Sequence, residues 1–91
     1  MMYCFKFPND IDKLLDGRTI IFAGKEMGIG RERMSKILRA EELCNTTLAT
    51  KIISRFKPNE NILSYFTEYT ESEAKAFYAK RNIRINKRRI N

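Results

Sequence analysis

Between Ile20 and Ile37 the chain reads Ile-Ile-Phe-Ala-Gly-Lys-Glu-Met-Gly-Ile-Gly-Arg-Glu-Arg-Met-Ser-Lys-Ile, and this stretch limits the fold more than any other. Thr19 is placed to cap a helix from Ile20 to Met27, and Gly28 to stop it. A second helix follows from Arg31 to about Arg39, with Met34, Ile37 and Leu38 spaced for one buried stripe. Two short helices that meet at a steep angle need particular residues at particular offsets. The first then needs a small residue at the crossing, which Ala23-Gly24 supplies. The turn needs a residue at ease at positive φ, which Gly28 supplies. Met27 and Ile29 flank the turn and plug the gap. Arg31, Glu32, Ser35 and Lys36 are left to project outward.

The flanking sequence completes a small helical domain. Tyr3, Phe5 and Phe7 alternate with Met2, Cys4 and Lys6 as a strand with one apolar side, ended by Pro8. Asn9 caps a helix through Leu15, with Ile11, Leu14 and Leu15 on one face and Gly17 closing it. Asn45 or Thr46 caps a further helix with Leu48, Ala49, Ile52, Ile53 and Phe56 inward, ended by Pro58. Ile62, Leu63, Tyr65 and Phe66 predict a short fifth helix. Ser72 to Lys80, with Ala74, Phe77 and Tyr78, predicts a sixth. Asn82-Ile83-Arg84-Ile85-Asn86 alternates like a strand. The expected fold is mainly α, a compact domain of five or six helices over residues 1–79, with short strands at its ends. Residues 80–91 form a basic tail.

Charge points to an anionic partner. The net charge is +7, yet residues 80–91 carry six basic groups and no acid, so residues 1–79 hold only +1. Within that body, residues 18–39 carry six basic groups against Glu26 and Glu32, a local +4. Such clusters attract polyanions and release their counterions. The competing reading is a solvated surface with a basic, solubilising end.

Residues 18–56 resemble the lambda repressor/Cro-type (Xre-like) helix-turn-helix proteins. The likeness lies in Thr19, the small pair at 23 and 24, and Met27-Gly28-Ile29 at the turn. It continues through Met34-Ser35-Lys36-Ile37 and through Ala49 with Ile52-Ile53. It covers a little under half the chain. It departs at Ile20, where the family often has Gln, and at Gly30, where it often has Ser or Thr. The resemblance implies a helix-turn-helix protein that reads double-stranded DNA with the helix beginning at Arg31, a small repressor-like transcriptional regulator of phage or mobile-element type. It places Arg31, Glu32, Ser35 and Lys36 against base edges, where arginine pairs with guanine and glutamate accepts from cytosine. Arg18, Thr19, Arg33 and Arg39 fall on phosphates, helped by the N-terminus of the helix that begins at Ile20, and Lys25 reads as solvated. A homodimer is expected, since one helix reads only four or five base pairs.

The tail keeps three readings. Lys87, Arg88 and Arg89 reach DNA phosphates, or the Ile83–Ile85 stretch adds a strand to the N-terminal one within or between subunits, or the end is merely solubilising. The competing function is a helix-turn-helix adaptor binding a protein, such as a phage-type inhibitor or antitoxin; it would show an apolar patch on the Arg31–Arg39 face. An enzyme is not expected. The chain has no histidine, no P-loop, and no partner to activate Cys44. Cys4 and Cys44 predict neither a disulfide nor a zinc site, so no metal and no cofactor is expected. No apolar run approaches the length of a membrane span, and the N-terminus is unlike a signal peptide. A cytoplasmic protein with no membrane partner and no small-molecule substrate is expected.

Overall fold

The computed structural model describes the backbone of residues 1–90 and the side chains of residues 1–80. It contains β1 (Met2–Phe5), a 3-10 turn at Pro8–Asp10, α1 (Ile11–Leu15), α2 (Ile20–Met27) and α3 (Arg31–Leu38). There follow β2 (Cys44–Asn45), α4 (Thr46–Phe56), a 3-10 turn at Ile62–Ser64, β3 (Phe66–Tyr69) and α5 (Glu71–Ile90). The fold is thus mainly helical, with one small antiparallel sheet.

Local chemistry sets most helix ends. The Thr19 hydroxyl accepts a hydrogen bond from the Phe22 amide at 3.1 Å, and the Asn45 side chain accepts from the Leu48 amide at 2.8 Å. Each fills an N-cap, so Asn45 rather than Thr46 opens α4. At α1 the expectation fails. Pro8 opens a 3-10 turn, Asp10 precedes the helix without a side-chain cap, and Asn9 caps nothing. Proline lacks an N–H and so suits a first-turn position, which starts the turn at Pro8 and leaves Asn9 inside it. The helix ends at Asp16, itself left-handed at φ 54°, one residue before Gly17.

The sheet departs most from expectation. β1 is its central strand, in the order β2-β1-β3, with Tyr3 opposite Cys44 and Phe5 opposite Phe66. Both faces of β1 are covered. Tyr3 and Phe5 join the main core with Leu14, Met34, Ile37, Leu38, Ala49 and Ile52. Cys4, expected on the outer side, is buried in a second cluster with Leu43 and Ala74, flanked by Tyr69 and Phe77. Phe7, expected on the apolar side, lies beyond the strand and is exposed.

The predicted fifth helix is instead a 3-10 turn leading into β3. Tyr65 and Phe66 are buried against Phe5, stacked and edge-on respectively, which outweighs the local helical spacing. α5 begins one residue before the predicted Ser72. Thr70 and Glu73 form a reciprocal capping box, with bonds of 3.2 and 3.0 Å. It continues to Ile90, so Asn82–Asn86 is helical and not a strand, and residue 80 falls inside an element. No proline or glycine interrupts residues 71–90, whose alanines, lysines, arginines and glutamates favour helix. Tyr78 anchors α5 to the domain by accepting a 3.2 Å hydrogen bond from the Leu43 amide.

Candidate nucleic-acid interface

The α2–α3 pair is built on backbone proximity. Gly24 is buried, and a Cβ there would stand 2.9 Å from the Ile29 carbonyl oxygen, closer than real Cβ contacts. The Ile29 amide donates to the Gly24 carbonyl at 2.9 Å, closing the turn, and Gly28 lies left-handed at φ 72°. Ala23, Met27, Met34, Ile37 and Leu38 are buried beneath the pair. From α4, the Lys51 ammonium donates to the Met27 carbonyl at 3.3 Å, tying down the last turn of α2. Gly30, extended at φ −68° and ψ 156°, precedes α3.

With Met34, Ile37 and Leu38 inward, the opposite arc of α3 carries Arg31, Ser35, Glu32 and Lys36. At 100° per residue these span about 140° of the helix. Arg31, Glu32 and Lys36 are exposed, and Ser35 is half-buried. The four residues line one shallow open depression, which Glu41 completes. Glu41 arrives there by a turn at Ala40, left-handed at φ 59°. The amides of Glu41 and Glu42 both donate to the Lys36 carbonyl, at 2.8 and 3.2 Å, closing the end of α3.

The residues expected on phosphates are not equivalent. Arg18, Thr19 and Arg39 meet in a second open depression, with Asp12 also on its wall. Arg39 is exposed, and so is Thr19, which stands at the N-cap of α2 with its hydroxyl taken by the Phe22 amide. Arg18 is engaged in the fold. Its Nε donates to the Leu15 carbonyl at 2.9 Å, and its guanidinium lies 3.6 Å from Asp16 and over the Phe22 and Phe56 rings. Arg33 turns away from the α3 face toward Glu42, at 3.5 Å. Lys87, Arg88 and Arg89 lie outside the residues whose side chains are described.

A cluster with no signature in the sequence braces α2 against α4. The Arg18 and Arg55 guanidiniums both lie over the edge-to-face pair Phe22–Phe56, at 5.2 to 5.8 Å from the ring centres. Arg55 also pairs with Glu26 at 3.0 Å, and Lys57 with Asp16 at 2.7 Å. The Lys57 bond holds the Asp16 carboxyl below its ordinary range. These two ion pairs span 29 and 41 residues of chain, beyond the reach of local pattern.

The cysteines show no chemistry of their own. Both thiols are free and buried. Burial, and then the neighbouring Cys4, push the Cys44 thiol up to about 12, far from a reactive thiolate. Among the described residues no group of three potential metal ligands is assembled, and no helix is long and apolar enough to cross a membrane. Compared with known proteins, the chain matches no family profile, no curated sequence and no solved structure.

Proposed function

We propose that this protein binds double-stranded DNA sequence-specifically, laying α3 in the major groove with its Arg31 end leading. The observation that supports this best is the single open surface shared by Arg31, Glu32, Ser35 and Lys36 on the second helix of a tight pair. Arg31 and Lys36 offer donors to guanine O6 and N7, Ser35 a hydroxyl that both donates and accepts, and Glu32 an acceptor for cytosine N4. Arg39 and the start of α2 share a second open depression and suit phosphate. The six basic residues from Lys80 onward add sequence-independent attraction.

A rigid α3 serves such reading well, because its inward stripe is fully buried and its position relative to α2 is fixed by backbone contact. In this reading two copies bind adjacent half-sites, and the protein is a small cytoplasmic regulator of repressor type. An adaptor would present an apolar surface instead. Among the described residues the large exposed apolar side chains are Met1, Phe7, Ile21, Leu63 and Tyr78, and α3 contributes none.

Selection from a random duplex library tests the proposal. The expected result is an enriched palindrome bound roughly 10³-fold or more tightly than random duplex at physiological salt. Equal affinity for all sequences overturns it.

A further inference from the structure

The depression on α3 holds two cations, Arg31 and Lys36, and two carboxylates, Glu32 and Glu41, so it is electrically neutral within a protein of net charge +7. In the DNA-binding reading Glu32 meets the cytosine amino group, and Glu41 meets nothing. Its neighbour Glu42 is paired with Arg33 at 3.5 Å, whereas Glu41 makes no ion pair among the described residues. Glu41 is exposed, and its backbone is locked onto α3 by the 2.8 Å bond to the Lys36 carbonyl. The turn that delivers it uses a left-handed alanine, a conformation that is strained for any residue but glycine. A carboxylate carried on a held backbone, and without an ion pair among the described residues, therefore stands at the margin of the surface that would meet a polyanion.

Resting on the DNA-binding reading above, we infer that Glu41 is a specificity determinant that acts by repulsion, selectively weakening binding to non-cognate DNA. On a non-cognate duplex, attraction is almost wholly to phosphate, and a carboxylate beside Lys36 cancels part of it. On the cognate duplex, Arg31, Ser35 and Lys36 also engage base edges by directional hydrogen bonds, which a carboxylate at the margin of the face weakens less than it weakens attraction to phosphate. Glu41 thus lowers affinity for random DNA more than for the preferred site. It works by penalising wrong partners, a recognised route to discrimination.

The test is Glu41→Gln in the full chain, with binding measured to the selected site and to random duplex across a range of salt. Glu41 is exposed and the replacement has the same shape, so the variant is expected to fold; Glu42→Gln serves as a control on a nearby carboxylate that is already paired. The expected result is a rise of about threefold or more in affinity for random DNA, the size of one like-charge contact in water. The selected site gains less, and the ratio between them falls. An equal gain on both duplexes, or no gain on either, overturns the inference. So does a loss confined to one base position, which would make Glu41 a base reader. If wild-type protein shows no preferred site, the DNA-binding reading fails and this inference with it; an unchanged ratio in Glu41→Gln beside a clear wild-type preference refutes the inference alone.

Discussion

The Ile29 carbonyl oxygen occupies the space where a side chain on residue 24 would begin, 2.9 Å from the Cβ position of Gly24. The contact couples a helix interior to the turn that follows it, and it reverses an ordinary expectation. Alanine in a helix is normally favoured over glycine by about 1 kcal/mol. Here Gly24→Ala should destabilise the protein by about 1–3 kcal/mol, because backbone must move to admit the methyl group. Urea denaturation reads the sign directly, and a more stable variant would refute the geometry.

The two left-handed turns that bound α3 should respond oppositely to substitution. Gly28 sits at φ 72°, and Gly28→Val should cost more than about 1 kcal/mol through backbone strain. Ala40 sits at φ 59° without glycine's freedom, so Ala40→Gly should stabilise by about 0.5 kcal/mol. The gain is small because Ala40 is packed against the cluster of Cys4, Leu43 and Ala74 and its methyl would be lost from there. Denaturation midpoints that move in the same direction for both variants would contradict this account.

Base reading and phosphate attraction should separate by mutation. Arg31→Ala or Lys36→Ala should cost about 1–3 kcal/mol and relax preference at one base position. Removing residues 87–91 deletes Lys87, Arg88 and Arg89. It should weaken binding to every duplex alike and flatten the log-affinity against log-salt slope by about 0.9 for each phosphate no longer neutralised. Binding isotherms at several salt concentrations distinguish the two. An unaltered slope would leave the tail without a role on DNA.

Acid should destabilise the fold in part through two carboxylates. Lys57 lowers the pKa of Asp16, and hydrogen bonds from Thr70, backbone first and hydroxyl second, lower that of Glu73. A folded pKa below the unfolded one means stability present at neutral pH and lost as pH falls through the folded value. The loss starts near the ordinary values of 3.8 and 4.5 and completes below them. Asp16→Asn combined with Glu73→Gln should therefore lower Tm at neutral pH and flatten its decline on acidification. Parallel curves for wild type and variant would rule out both contacts as contributors.

The helices of the candidate site were legible because their signals are local. Thr19, Gly28 and the Met34-Ile37-Leu38 stripe state the bounds of α2 and the buried face of α3 within a few residues of where they act. Strand β1 was legible from the alternation of Tyr3 and Phe5, but its two partners were not, for the opposite reason. The Ile62–Phe66 run has helical spacing, and only pairing with the distant β1 at the start of the chain makes Phe66–Tyr69 a strand. β2 is two residues long and leaves no periodicity to find. The start of α5 was written plainly in Thr70-x-x-Glu73, a capping box that outranks the apolar pattern beginning at Ala74. Within the site, the spacing that displays Arg31, Glu32, Ser35 and Lys36 was readable. The diversion of Arg33 to Glu42, the capture of Arg18 by Phe22 and Phe56, and the approach of Glu41 were not, since each depends on where the chain returns.

A central strand at the N-terminus also fixes the order in which the chain can be completed. Helices α1 to α4 occupy Ile11–Phe56 and close through short loops, whereas β1 needs Cys44–Asn45 on one edge and Phe66–Tyr69 on the other. During synthesis the first strand emerges from the ribosome long before its second neighbour. Until Tyr65 and Phe66 have emerged, Phe5 lacks both of its aromatic contacts, and the β3 edge of β1 stays without its full partner until Tyr69 follows. Closing that long loop is the slow, non-local step. A nascent chain stalled before Phe66 therefore has one edge of β1 open to pairing with another copy of itself, and a core that still lacks Phe66.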